Sequence, residues 1–373
     1  MKYRVVITLF LAVFLLVGSC KKDPENPSKP AGDYAYDPTP YDLVLPSNRG
    51  WNSFPIPADN PLTKAGVALG RKLFYDQILS VNNSQSCASC HKQENAFADP
   101  SRLSAGAFGQ ASQRHSMPLF NLPWADKYNF TGQRYFWDGG ANDLERQALG
   151  PILNPLEMSN PSLEPVLKRL QAHSEYPGLF KRAFGSDSIT SVKLAKALAQ
   201  FERTLLSTNS PYDKAERRQR LRTQSEINGM FVFNTEGKGD CFHCHGNENT
   251  AYFTDFLFHN NGLDAMPKDS GLGRITGNPA DLFKFKTPTL RNLAFTAPYM
   301  HDGRFKTLMD VINFYDTGTK NSPNVDPNIA KHFKEGGLNL TPQEKLDLLN
   351  FLLSLSDTSF TRETKFSDPK FAF

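Results

Sequence analysis

Cys87-Ala88-Ser89-Cys90-His91 decides how this chain is read, because the same frame returns as Cys241-Phe242-His243-Cys244-His245. Cys-x-x-Cys-His is the pattern of covalent c-type haem attachment. Two thiols at that spacing add to the two vinyl groups of one porphyrin, and the adjacent imidazole falls beneath the iron as its proximal ligand. Two frames therefore imply two covalently bound haem c groups, one on Cys87, Cys90 and His91 and one on Cys241, Cys244 and His245. The competing reading is a zinc site built from the four thiolates. Zinc needs no His after each pair, and the pairs of a zinc ribbon lie far closer in sequence.

The remaining composition agrees with an exported, haem-bearing chain. A length of 373 residues corresponds to two domains or three, and 29 Phe and 12 Tyr can build real cores. A formal charge of +4, or +2 once Lys2 and Arg4 are removed, gives no reason to expect nucleic acid. Four of the five cysteines lie in the two frames. The fifth, Cys20, follows Leu16-Val17-Gly18-Ser19 at the end of a leader with a 13-residue apolar run from Val5 to Val17. That run is too short to span a bilayer and suits a signal peptide. The small residues before Cys20 resemble a bacterial lipobox, which makes Cys20 the expected lipidation site. The alternative is a plain secretory signal with an incidental Cys. Either way the chain is expected outside the cytoplasm, and the lipobox reading anchors it by lipid to the periplasmic side of a bacterial membrane.

Pro24, Pro27, Pro30, Pro38 and Pro40, among Lys, Asp, Ser and Gly, read as an extended tether over 20–50. Leu62, Gly66, Leu69 and Leu73 then form one helical face ahead of the first frame, the order found in cytochrome c domains. Residues 92–123 read as loop. Leu163, Val166, Leu167 and Leu170 predict a further helix. Leu194, Leu198, Phe201 and Leu205 predict another over about 191–207, capped by Thr190 or Ser191. The polar stretch 207–223 reads as a domain boundary or, alternatively, a solvated helix face. A helical lead-in over 227–233 precedes the second frame. Thr341-Pro342-Gln343-Glu344 is a capping box opening a last helix. Strand signals are scarce, so the fold class is mainly α. It should comprise a signal peptide (1–19), the tether and two cytochrome c-like domains (51–209 and 210–373), each with one haem.

Several further segments stand in one order between residues 60 and 355. They are Leu73-Phe74-Tyr75-Asp76, Phe136-Trp137-Asp138-Gly139, Gln147 with Gly150-Pro151, and Asn154-Pro155-Leu156-Glu157-Met158. Thr287-Pro288-Thr289-Leu290-Arg291-Asn292 and Ala297-Pro298-Tyr299-Met300-His301-Asp302-Gly303 complete the set. With the two frames, they resemble the bacterial di-haem cytochrome c peroxidase and MauG family. The resemblance implies a peroxidatic haem on His91 and an electron-transfer haem on His245. It places Trp137 between the haems, although Trp is commonly a core aromatic. It makes Glu157 the distal acid–base group and Gln147 the amide that orients peroxide; outside this frame both would read as surface residues.

Two departures bear on the ligands. His115 stands in Arg114-His115-Ser116-Met117-Pro118, where the family usually has an Asn that helps hold an interdomain calcium. No removable distal His is therefore expected, the first haem should be permanently open, and the calcium ion is in doubt. In the family the sixth ligand of the second haem is a Met in peroxidases and a Tyr in MauG, about 14 residues past the His of His-Asp-Gly. Here that position is Tyr315, with Met300 and Met309 as rivals. His173, His243, His259, His301 and His332 have ordinary structural readings.

The leading expectation is reduction of hydrogen peroxide to water with electrons from a small cytochrome c or cupredoxin. The alternatives are a MauG-like oxidase of a protein or organic substrate, and a non-enzymatic electron carrier.

Overall fold

Thr63 starts the first long helix, Lys64–Tyr75, by accepting a 3.0 Å hydrogen bond from the Gly66 amide. In this computed structural model, which describes residues 34–46, 51, 53–129, 132–246 and 251–371, that helix crosses helix Ser191–Glu202. The crossing is close because the contact residues are glycines: a Cβ on Gly66 would lie 2.2 Å from Gln200 Oε1, and one on Gly70 1.9 Å from the Ala197 carbonyl oxygen. Around it Leu69, Leu73, Phe74, Phe97, Leu198 and Phe201 form the first core.

The second unit repeats the device. Helix Gln224–Asn234 crosses helix Pro342–Ser354, and a Cβ on Gly229 would lie 2.0 Å from the Asp347 carbonyl oxygen. Both helices open with a reciprocal cap. Glu344 Oε2 accepts from the Thr341 amide at 2.8 Å while Thr341 Oγ1 accepts from the Glu344 amide at 3.2 Å, and Thr223 with Glu226 does the same. Phe233, Phe253, Phe351 and Leu355 form the second core. The fold is mainly helical. Among the described residues the only sheet pairs Phe258 with Lys286 and His259 with Phe285, and no helix is long and apolar enough to cross a membrane.

The structure corrects three expectations. The tether is not free over its described part: Tyr41 and Leu43 pack on the first core, and the Asp37 amide bonds the Arg182 carbonyl at 2.8 Å. Its prolines hid enough aromatic and aliphatic surface to dock. Cys20 lies outside the described residues. The helix expected to run to 207 ends at Glu202: Thr204 donates to the Phe201 carbonyl from both its amide at 2.9 Å and its hydroxyl at 2.7 Å, just past the fully buried Arg203, which makes a two-bond pair with Glu145, both bonds 2.8 Å. The stretch 207–223 is neither loose nor fully solvated: Asp213, on the short helix Pro211–Glu216, is buried against Arg291 through bonds of 2.8 and 2.9 Å. The C-terminal segment also crosses back, since Phe360 and Phe366 belong to the first core.

Candidate metal centres

Each frame is a single helical turn, Cys87–Cys90 and Phe242–His245, that ends on its histidine. The His91 amide bonds the Cys87 carbonyl and the His245 amide the Cys241 carbonyl, both at 2.9 Å. This brings both sulfurs and the ring to one side of a tight turn. His91 Nδ1 then lies 3.0 Å from the Phe97 carbonyl oxygen and His245 Nδ1 3.2 Å from that of Phe253. A carbonyl can only accept, so Nδ1 carries the proton and Nε2 is left as the metal-binding lone pair. Burial lowers both imidazoles to about 4, which keeps them neutral at physiological pH. The four thiols are unpaired.

The four thiols do not converge on one point. Among the described residues the one group of three or more candidate ligand side chains is Glu236, Asp240 and His243, and Lys331 Nζ sits 3.0 Å from Asp240 Oδ2 within it. A zinc site shared by the two frames is thereby removed. Two thiols beside a neutral imidazole fit a porphyrin at each frame. At the second, Cys241, Cys244 and His245 line one chamber with the apolar Leu290, Leu293, Ile312 and Leu352.

Tyr315 and Met300 line that second chamber, whereas Met309 packs against the core beside it. Tyr315 lies in a wide turn, Phe314–Gly318, that continues helix Leu308–Asn313. Such wide turns often mark functional sites. Burial pushes the phenol up to about 12, opposed by a hydrogen bond from Asn261. Asn261 Nδ2 lies 3.1 Å from Tyr315 Oη and 3.6 Å from Met300 Sδ. His259, on the same wall, is clamped between Asp326 at 2.6 Å and Asp255 at 2.8 Å. Despite its burial, those carboxylates raise it to about 9.

The first frame faces different chemistry. Glu157 is held by its own carbonyl, which accepts from the Ala107 amide at 2.7 Å, and by Asn154 Nδ2 at 2.6 Å from Oε1. Burial raises its carboxyl pKa against that hydrogen bond. Burial likewise raises the Cys87 and Cys90 thiols, and the Glu157 charge adds to the effect at both, as expected of a carboxylate close to the frame. Gln147, on helix Leu144–Leu153, is buried and its Oε1 has no hydrogen-bond partner among the described residues. Glu202 is a residue the sequence reading missed. It is 2 % exposed, its Oε2 has no partner among the described residues, and burial pushes its pKa to about 8. Its only sequence signal was a carboxyl following Phe201 on the apolar face of helix Ser191–Glu202.

Trp137 is buried on the wall of the second chamber, with Nε1 donating to the His115 carbonyl at 2.7 Å. Its ring meets His301 edge-on at 6.5 Å, and His301 stacks on Phe285 at 3.7 Å. Its carbonyl accepts from the amide of Lys286, whose buried ammonium is lowered to about 8 by desolvation. His115 lines the second chamber too, 5 % exposed, with neither ring nitrogen partnered among the described residues. Asn261 and Lys286 carried no sequence signal, because their roles depend on segments folded against them.

Residues 64–220 match the family model described as di-haem cytochrome c peroxidase. The methylamine utilization protein MauG of Methylophilus methylotrophus is 35% identical over 308 residues, 82% of this chain and 86% of that protein. The cytochrome-c peroxidase IdrP1 of Pseudomonas sp. (strain SCT) is 33% identical over 337 residues, covering 81% and 83%. The crystal structure of a MauG-like protein associated with microbial copper homeostasis superposes with a TM-score of 0.77 at 33% identity, covering 88% of this chain and 99% of that one. With likeness of this extent to both branches, the chain belongs to the di-haem cytochrome c peroxidase and MauG family of oxidoreductases.

Proposed function

We propose that this protein is an exported di-haem peroxidase, anchored through Cys20 on the periplasmic side, that reduces hydrogen peroxide to water. Its haems are covalently bound, on Cys87, Cys90 and His91 and on Cys241, Cys244 and His245. Electrons from a small cytochrome c or cupredoxin enter at the second haem. The observation that carries the reading is the inequality of the two sites: the thiols of the first frame feel the charge of a buried carboxyl, Glu157, while two metal-donor side chains, Tyr315 and Met300, line the chamber of the second.

A haem held by Cys87, Cys90 and His91 would supply the iron centre for peroxide reduction. The chain does the remaining work. Glu157 takes the proton from the proximal peroxide oxygen and returns it to the departing oxygen, while Asn154 holds the carboxyl in one orientation. Gln147 offers its amide to the same oxygens. Trp137, fixed by its bond to His115, lies on the electron route between the two sites. Tyr315 would join His245 in holding the iron of the second haem, and as a harder donor than a thioether it would favour the ferric state.

Replacing Glu157 by Gln keeps the shape and removes the base. Turnover should fall at least about 100-fold with both haems still attached; an unchanged rate refutes the assignment. Because the base must be ionised and burial raises its pKa, kcat/KM should decline on the acid side from above the usual carboxylate range, and E157Q should lack that limb.

Tyr315 also favours a second reading, a MauG-like oxidase acting on a protein or organic substrate. Peroxide-driven oxidation of such a substrate without any donor protein separates it from the peroxidase.

A further inference from the structure

Tyr315 and Met300 do more than share a chamber: they share one hydrogen-bond donor. Asn261 Nδ2 reaches Tyr315 Oη at 3.1 Å and Met300 Sδ at 3.6 Å. A phenolate oxygen and a thioether sulfur, both able to bind haem iron, therefore meet at a single amide in the wall that also holds His245. The geometry points to a redox-driven exchange of the sixth ligand at the second haem, with Tyr315 on the ferric iron and Met300 on the ferrous iron. This rests on the reading of Tyr315 as ferric ligand.

The chemistry of the two donors sets the direction. A hard, anionic phenolate stabilises ferric iron, and a soft, neutral thioether stabilises ferrous iron. On one-electron reduction by a small donor, the iron–oxygen bond to Tyr315 breaks and the iron–sulfur bond to Met300 forms. The released phenolate takes up one proton from solvent, and reoxidation reverses each change. Asn261 donates to the tyrosine oxygen in both states, so the displaced phenol keeps a partner.

The backbone need not move for this. Met300 lies in the left-handed region at φ 75°, and its carbonyl accepts from the Gly303 amide at 3.1 Å. The turn carrying Tyr315 is tied at Asp316, whose carboxylate takes the Leu340 amide at 2.9 Å and Lys345 at 2.7 Å. The exchange then falls to side-chain rotation: the phenol swings aside about its own side-chain bonds and the unbranched methionine, with three rotatable bonds, takes its place. The ordinary role of such a methionine is to fill space, and filling space predicts no change on reduction.

The test uses the full-length protein with both haems attached. Proton NMR of the dithionite-reduced protein should show the strongly upfield-shifted methyl resonance of an iron-bound methionine. Met300→Leu should lose it while leaving the ferric electron paramagnetic resonance spectrum unchanged. Tyr315→Phe should alter the ferric spectrum and keep the resonance. A reduced wild-type protein without the resonance, or a Met300→Leu variant that retains it, overturns the exchange. If Tyr315→Phe leaves the ferric spectrum unchanged, the tyrosinate reading fails, and the exchange with it. Should Met300→Leu fail to hold its haem, voltammetry of the wild-type protein decides. Exchange separates the oxidation and reduction waves increasingly with scan rate; waves that stay together at every rate overturn it.

Discussion

The two haem units differ where chemistry happens and agree where iron is positioned. Each crosses two helices over glycines, ends a one-turn helix on a histidine, and fixes that ring through a backbone carbonyl. The first frame lies within the field of the buried Glu157, whereas Tyr315 and Met300 line the chamber of the second. The scaffold therefore decides where a metal sits, and a few side chains on separate segments decide what it does. On the proposed reading a carboxyl would move protons at one site and a phenol or thioether would hold iron at the other, so the same platform would serve as reactor or as wire.

The ion pairs that lock the units offer the largest test of how alike they are. Arg291 and Asp213 are both dry, with side-chain exposures of 0% and 1%, whereas Arg203 is dry but its partner Glu145 is 20% exposed. Arg291→Met strands a buried carboxylate and should cost about 3–5 kcal/mol in urea unfolding. Arg203→Met should cost less, because Glu145 can recover water. Equal losses would show that burial does not distinguish the two locks.

The helix crossings come next. Valine at Gly229 or at Gly70 would push a carbon into backbone, at Asp347 and Ala197 respectively, and each should lower stability by about 3 kcal/mol. If the units are energetically separate, G229V should loosen the second haem alone and G70V the first alone, read by spectra recorded during thermal unfolding. Simultaneous loss would mean that the crossings by Phe360 and Phe366 bind the units into one cooperative body.

Helix starts should give the smallest effect. Thr341→Ala removes a reciprocal cap and should cost about 1 kcal/mol, seen as a small shift in the unfolding midpoint. Thr63→Ala, which removes a one-way cap, should cost less.

Features encoded by neighbours in sequence were legible beforehand. The frames, the capping box at Thr341 and the apolar faces of 64–75 and 163–172 need only local spacing, and each stands where that spacing put it. The helix overshoot to 207 came from reading Leu205 as a continuation of the face, when Thr204 had already drawn the Phe201 carbonyl into a tighter turn. The segment 34–46 was misjudged because proline content says nothing about whether a distant surface will accept Tyr41 and Leu43.

By itself the sequence determined that the chain has two attachment frames, a mainly helical body and a short set of polar candidates around them, because bond geometry and helical period act within a few residues. Only the tertiary structure decided that Met309 belongs to the core and Met300 to the chamber, that one asparagine serves both Met300 and Tyr315, and that Glu202 is buried beside Arg203. Those are facts of distance between segments far apart in the chain, and burial and hydrogen bonding take their strength from that distance rather than from residue order.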